Sequence, residues 1–132
     1  MTDKPAGKVT IQTVAMPADT NANGDIFGGW LLSQMDLACG VLAKEISKGR
    51  VVTVAVESMT FLKPVHVGDV VSCHTSVVKL GRTSITTLVE VWTYNPLTTE
   101  EHKVTEGTFV SVAIDENSQP RPIQPQEAND NA

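Results

Sequence analysis

Residues 28–47 read Gly28-Gly29-Trp30-Leu31-Leu32-Ser33-Gln34-Met35-Asp36-Leu37-Ala38-Cys39-Gly40-Val41-Leu42-Ala43-Lys44-Glu45-Ile46-Ser47. Leu31, Met35, Ala38, Leu42 and Ile46 recur at intervals of three and four, the repeat that lines up side chains on one face of a helix. The other faces are also largely small or apolar, with Leu32, Leu37, Cys39, Gly40, Val41 and Ala43. A helix apolar nearly all round is one wrapped by other elements. Lys48, Gly49 and Arg50 supply a C-terminal stop.

On the N-terminal side, Pro17 to Gly29 gathers Pro17, Asp19, Asn21, Asn23, Gly24, Asp25, Gly28 and Gly29, a composition that forms a loop leading into the helix. Before it, residues 8 to 16 alternate weakly through Val9, Ile11, Thr13 and Ala15 and read as a first strand. On the C-terminal side, Val- and Thr-rich runs at about 51 to 62, 69 to 80, 83 to 95 and 103 to 115 read as four more strands, and no second helix competes. Turn formers separate them: Pro64 to Asp69, the tight pair Gly81-Arg82, and the polar stretch Asn95 to His102. Consecutive strands joined this closely are expected to be antiparallel. The predicted class is α+β, a five-stranded antiparallel sheet curved around one long central helix. Such a sheet leaves an edge strand and one helix flank uncovered, so self-association is expected. The domain spans residues 8–115, after an N-terminal tail at 1–7. Residues 116–132, with Pro120, Pro122 and Pro125 among polar neighbours, are expected to form a flexible tail.

At 132 residues the chain has the size of one domain able to bury a sizeable core. A net charge of -5 and a pI near 5.0, with the ten Lys and Arg scattered, argue against a nucleic-acid footprint. Only Cys39 and Cys73 occur, and the first residues lack the apolar core of a secretory signal, so free thiols in a reducing cytoplasm are expected. No apolar run approaches the roughly 20 residues that span a bilayer, so no membrane association is implied.

Asp36 stands alone in the helix. Its neighbours three and four residues away are Leu32, Ser33, Cys39 and Gly40, so no Lys or Arg pairs with it along the helix. A carboxylate buried in apolar surroundings is tuned toward acid or base work near neutral pH. The plainer alternative places it on a solvated face or pairs it with a distant segment. Gly28 and Gly29 open the helix, where small residues let a ligand approach bare N–H groups and the dipole favours negative charge. Donors of that kind contribute roughly 3 kcal/mol each toward a tetrahedral intermediate, although glycine pairs also serve as plain turns. The eight-residue separation of Gly28 and Asp36 corresponds to about 12 Å along a helix axis, too far for one carbonyl to touch both. If both belong to one site they come from different chains, and the functional unit is a dimer. Cys39 lacks a His beside it and reads as a buried small residue. His66, His74 and His102 have no metal-ligand spacing with one another or with the cysteines, so no metal is expected. Lys63, Lys79 and Arg82 fall near turns as solvated charges, with phosphate binding as a lesser alternative.

The run Ala15-Met16-Pro17-Ala18-Asp19-Thr20-Asn21-Ala22-Asn23-Gly24-Asp25-Ile26-Phe27-Gly28-Gly29-Trp30, followed by Ser33-Gln34-Met35-Asp36, resembles the acyl-CoA thioesterases of the YciA type. Arg50 to Met59 with Phe61, Lys63-Pro64, Val67 to Val71 and Gly81-Arg82-Thr83-Ser84 carry the likeness onward, so that it runs from about residue 9 to 115. It implies a hotdog fold, dimers assembled as a hexamer, and hydrolysis of acyl-CoA with no metal or redox cofactor, coenzyme A entering only with the substrate. It further implies Asp36 as general base or nucleophile and Gly28 and Gly29 as the carbonyl-polarising helix start. Asn23 and Asp25 then lie in the loop lining a neighbouring subunit's site, and Gly81, Arg82, Thr83, Ser84 and, less closely matched, Lys63 contact coenzyme A. Where the wider group often has His before the glycine pair, this chain has Phe27, which leaves Asp25 without an assigned step. The competing class is a non-catalytic acyl-CoA-binding or sensing module, which needs an output segment that is not read before residue 8 or in the acidic tail. Hotdog dehydratase chemistry needs a His on the helix, and residues 28–47 contain none.

Overall fold

The computed structural model of the chain describes residues 4–123. Its elements are β1 (Lys8–Val14), a short 3-10 turn at Pro17–Asp19, α1 (Gly28–Ser47), β2 (Val51–Phe61), β3 (Val70–Leu80), β4 (Ser84–Tyr94) and β5 (Glu101–Ala113). All five strands form one antiparallel sheet in the order β1-β3-β4-β5-β2. The five strands and the single long helix stand where the apolar periodicities put them, to within a few residues.

One expectation about pairing is corrected. β2 and β3 follow each other in the chain but do not pair: β2 is an edge strand beside β5, and β3 lies between β1 and β4. Three strand spacings, about 14 Å, separate them, and the eight residues 62–69 reach roughly 26 Å when extended. They therefore cross the open mouth of the sheet instead of turning back. The crossover is tied on the way by Ile26 N–H to the Val65 carbonyl (3.1 Å) and by Ala15 N–H to the Asp69 carbonyl (3.0 Å).

The core lies between α1 and the concave face of the sheet, where Leu31, Met35, Ala38 and Cys39 meet Val71, Cys73, Val89, Val91, Val104 and Phe109. The helix is wrapped on one side only. Leu37 is 57 % exposed, and Leu32 and Val41 are exposed beside it. The helix ends at Lys48, left-handed at φ 60°, whose N–H returns to the Lys44 carbonyl at 2.8 Å.

The tail expected at 116–132 is not loose over its first part. Asp115 takes the N–H groups of Asn117 (2.8 Å) and Gln119 (3.0 Å) on its Oδ1, and the chain turns back so that Ile114 and Pro120 form a bridge. Composition signals Pro and polar residues but not the Asp115 side chain that closes the turn. Residues 124–132, and 1–3 of the N-terminal tail, lie outside the described residues. Among the described residues no helix is long and apolar enough to cross a membrane.

Candidate active site

Asp36 sits nine residues into α1, on the flank that the sheet leaves open. Its Oδ1 accepts a hydrogen bond of 2.6 Å from the Thr53 hydroxyl on β2. The side chain is exposed in the single chain, not buried as the apolar helix led us to expect. The reason is the half-wrapped helix: the face carrying Leu32, Asp36 and Leu37 looks outward past edge strand β2. No ion pair engages Asp36 among the described residues. Instead it lines a hollow of about 310 Å³ with Gly29, Leu32, Ser33, Thr53, Val56 and Phe109. Thr53, seventeen residues further along the chain, has no signal in the sequence that marks it as the acid's partner.

The helix start offers bare donors. Phe27 at the N-cap provides no side-chain hydrogen bond, and the first turn has no acidic residue. Gly28 faces a separate hollow of about 300 Å³ lined by Ile26, Phe61, Lys63 and Val65. Gly29 shares the hollow of Asp36, yet seven residues of helical rise, roughly 10 Å, still separate the two within one chain.

The entry loop is built around Asn21, whose Oδ1 accepts the N–H groups of Asn23 (2.9 Å) and Asp25 (3.1 Å). Gly24 completes the turn at φ +85°, a conformation that favours glycine. Asn23 is exposed, and Asp25 Oδ1 lies 3.8 Å from His66 Nδ1 on the crossover. Neither residue lines the Asp36 hollow of its own chain.

Of the other expected contacts, Gly81 to Ser84 form the β3–β4 hairpin, closed by Gly81 N–H to the Ser84 carbonyl at 2.8 Å, with Arg82 exposed. Lys63 is not brought to it. Leu62 and Lys63 bond to the Val104 carbonyl, whereas Ser84 pairs with Val112, so about 27 Å of β5 lies between them. Lys63 Nζ instead approaches His102 Nδ1 at 3.3 Å, beside His66 and Asp69 in a pocket of about 260 Å³. Sequence spacing did not reveal this convergence, since it depends on the crossover. Among the described residues no group of three or more His, Cys, Asp or Glu could hold a metal ion.

Cys39 is a free thiol buried in the core. Burial pushes its thiol up to about 12, with the neighbouring Asp36 and Cys73 adding to the effect. Burial alone does the same to Cys73, also to about 12.

Residues 23–100 match the family model described as Thioesterase superfamily. The acyl-CoA thioester hydrolase YciA of Salmonella typhimurium is 55% identical over 126 residues, covering 93% of this chain and 95% of its own length. Among solved structures, the hexameric thioesterase of Yersinia pestis is 52% identical with a TM-score of 0.88, over 92% of this chain and 99% of that one. A structure described as a hexameric broad specificity acyl-coenzyme A thioesterase is 50% identical with a TM-score of 0.89, over 97% of this chain and 90% of that one.

Proposed function

Since the chain belongs to the thioesterase superfamily, we propose that it is an acyl-CoA thioester hydrolase, splitting acyl-CoA into a free carboxylic acid and coenzyme A. The observation that carries the catalytic reading is the Asp36 carboxylate, fixed by Thr53 at 2.6 Å and opening into a largely apolar hollow. With one oxygen held by the hydroxyl, the other is free to take a proton from water, whose oxygen attacks the thioester carbonyl carbon. The same oxygen serves if Asp36 attacks the carbonyl directly and water then cleaves the mixed anhydride. The carbonyl oxygen becomes an oxyanion, received by the bare N–H groups of Gly28 and Gly29. When the C–S bond breaks, the coenzyme A thiolate leaves and is protonated. Water and Asp36 suffice, and the reaction calls for no metal or redox cofactor.

The acid and the glycine pair of one site come from two chains, because roughly 10 Å separates them within one. The chain is a homo-oligomer with the dimer as its functional unit. Edge strand β2 and the flank of Leu37 and Val41 are the surfaces that a second copy covers, and three dimers make up a hexamer, an assembly supported by the hexameric relatives. Asn23 and Asp25 then line the neighbour's site. Lys63 and the hairpin Gly81 to Ser84 stand at opposite ends of β5 in one chain and serve one coenzyme A from different chains. The composition, with its acidic balance and two free cysteines, suits a cytoplasmic enzyme.

The test is Asp36→Ala. Exposure of the side chain predicts normal folding and assembly together with a loss of kcat of at least about 100-fold. Retained turnover in a folded variant would remove the acid from the mechanism.

A further inference from the structure

Arg121 is the only Lys or Arg after Lys103, and its guanidinium binds carbonyls instead of an acid. Nη2 donates to the Ser47 carbonyl at 3.1 Å and Nε to the Ile114 carbonyl at 3.1 Å, while its backbone N–H donates to the Ala113 carbonyl at 2.9 Å. Ser47 closes α1. The last carbonyls of a helix lack partners within it and carry the negative end of its dipole, so a cation is well placed there. A Cβ on Gly49 would collide with the guanidinium, and glycine at that position makes room for it. One side chain thus joins the end of the helix, the end of β5 and the returning segment.

Two residues further on, the Ile123 N–H donates to the Arg82 carbonyl at 2.9 Å, and the Ala113 N–H donates to the Thr83 carbonyl at 2.9 Å. The two central carbonyls of the β3–β4 hairpin are therefore held from outside, one of them by the segment that Arg121 anchors. We propose that Arg121 is a positioning residue for the hairpin, acting through Ile123 to hold Arg82 ready for the nucleotide end of coenzyme A. This rests on the reading that Gly81 to Ser84 bind that part of the substrate. Without the anchor, the Arg82 backbone loses its tether and the substrate must order the hairpin on binding, which weakens affinity without touching the chemistry. The anchor lies eleven residues along α1 from Asp36, about 16 Å of helix.

The experiment compares Arg121→Gln, Arg121→Lys, Ile123→Pro and Arg82→Ala with the unaltered enzyme. Each is assayed on an acyl-CoA and on the same acyl group carried by pantetheine, which lacks the nucleotide. Arg121→Gln and Ile123→Pro are expected to raise KM for acyl-CoA about tenfold, with kcat within about twofold and the acyl-pantetheine constants unchanged. Ile123→Pro removes the N–H that meets Arg82 while leaving the Arg121 guanidinium in place, and so keeps the test alive if Arg121→Gln folds poorly. Arg121→Lys retains a cation at the helix end and recovers part of the loss. If Arg82→Ala raises KM for acyl-CoA while Arg121→Gln and Ile123→Pro do not, the positioning role is refuted and the hairpin reading stands. If Arg82→Ala has no effect on KM for acyl-CoA, the hairpin reading fails and takes the proposal with it. Equal losses on both substrates would assign Arg121 a merely structural role and overturn the proposal.

Discussion

The carboxylate of Asp36 and the hydroxyl of Thr53 meet at 2.6 Å across two elements, in a hydrogen bond open to solvent. Thr53→Val keeps the shape and deletes the donor, so kcat should fall by about tenfold with KM and stability little changed. Unchanged turnover in a steady-state assay would show that the acid needs no such support. Asp36 stood out in the sequence because an apolar helix gives a lone acid nothing to pair with, whereas Thr53 is one of many strand threonines until the fold brings it there. The cysteines make a second prediction. The folded thiols ionise only near 12, against an ordinary 9.0. Stability from this difference is intact below the unfolded value and is lost as pH rises from 9 toward 12. The urea midpoint should therefore drop more steeply above about pH 9 in the native sequence than in a Cys39→Ala/Cys73→Ala variant. Equal slopes would mean the thiols do not contribute.

β2 is the element that the isolated chain leaves least covered. Val52, Val54, Val56 and Phe61 are all exposed, and Val54 is 56 % so. Alternation along a strand turns Thr53 toward Asp36 and Val52 away, so the strand is open on both faces. Two irregularities in its pairing with β5, between Thr53 and Ala55 and between Val56 and Ser58, bend the strand locally. An edge of this kind is where a second copy adds, and Val54→Lys should place an unpaired charge in that contact. Sedimentation should then show smaller species, with turnover falling in step. An unaltered assembly at full activity would exclude β2 from the interface. Strand positions were legible because Val and Thr runs and turn formers are local signals. Strand order was not, since the crossover of residues 62–69 is decided by what α1 must be wrapped with, and no short window of sequence records that.

At the scale of the molecule, the one-sided wrapping of α1 explains both what was foreseen and what was missed. The sequence pointed to a helix flank in need of cover. It also suggested a buried Asp36, which would require all the cover to come from the same chain, and the structure shows the acid on the open side instead. Similarly, Lys63 and the Gly81–Ser84 hairpin were both expected to contact coenzyme A yet lie at opposite ends of β5. These separations are what the proposed site, assembled from two chains related by a twofold axis, accounts for. Subunit mixing tests this most directly. An Asp36→Asn chain and a Gly28→Pro/Gly29→Pro chain, each inactive alone, are unfolded together, refolded and assayed. A shared site predicts that every mixed dimer regains one intact site of its two, restoring about a quarter of native activity at equal mixing. Mixed dimers that form and remain inactive would contradict it.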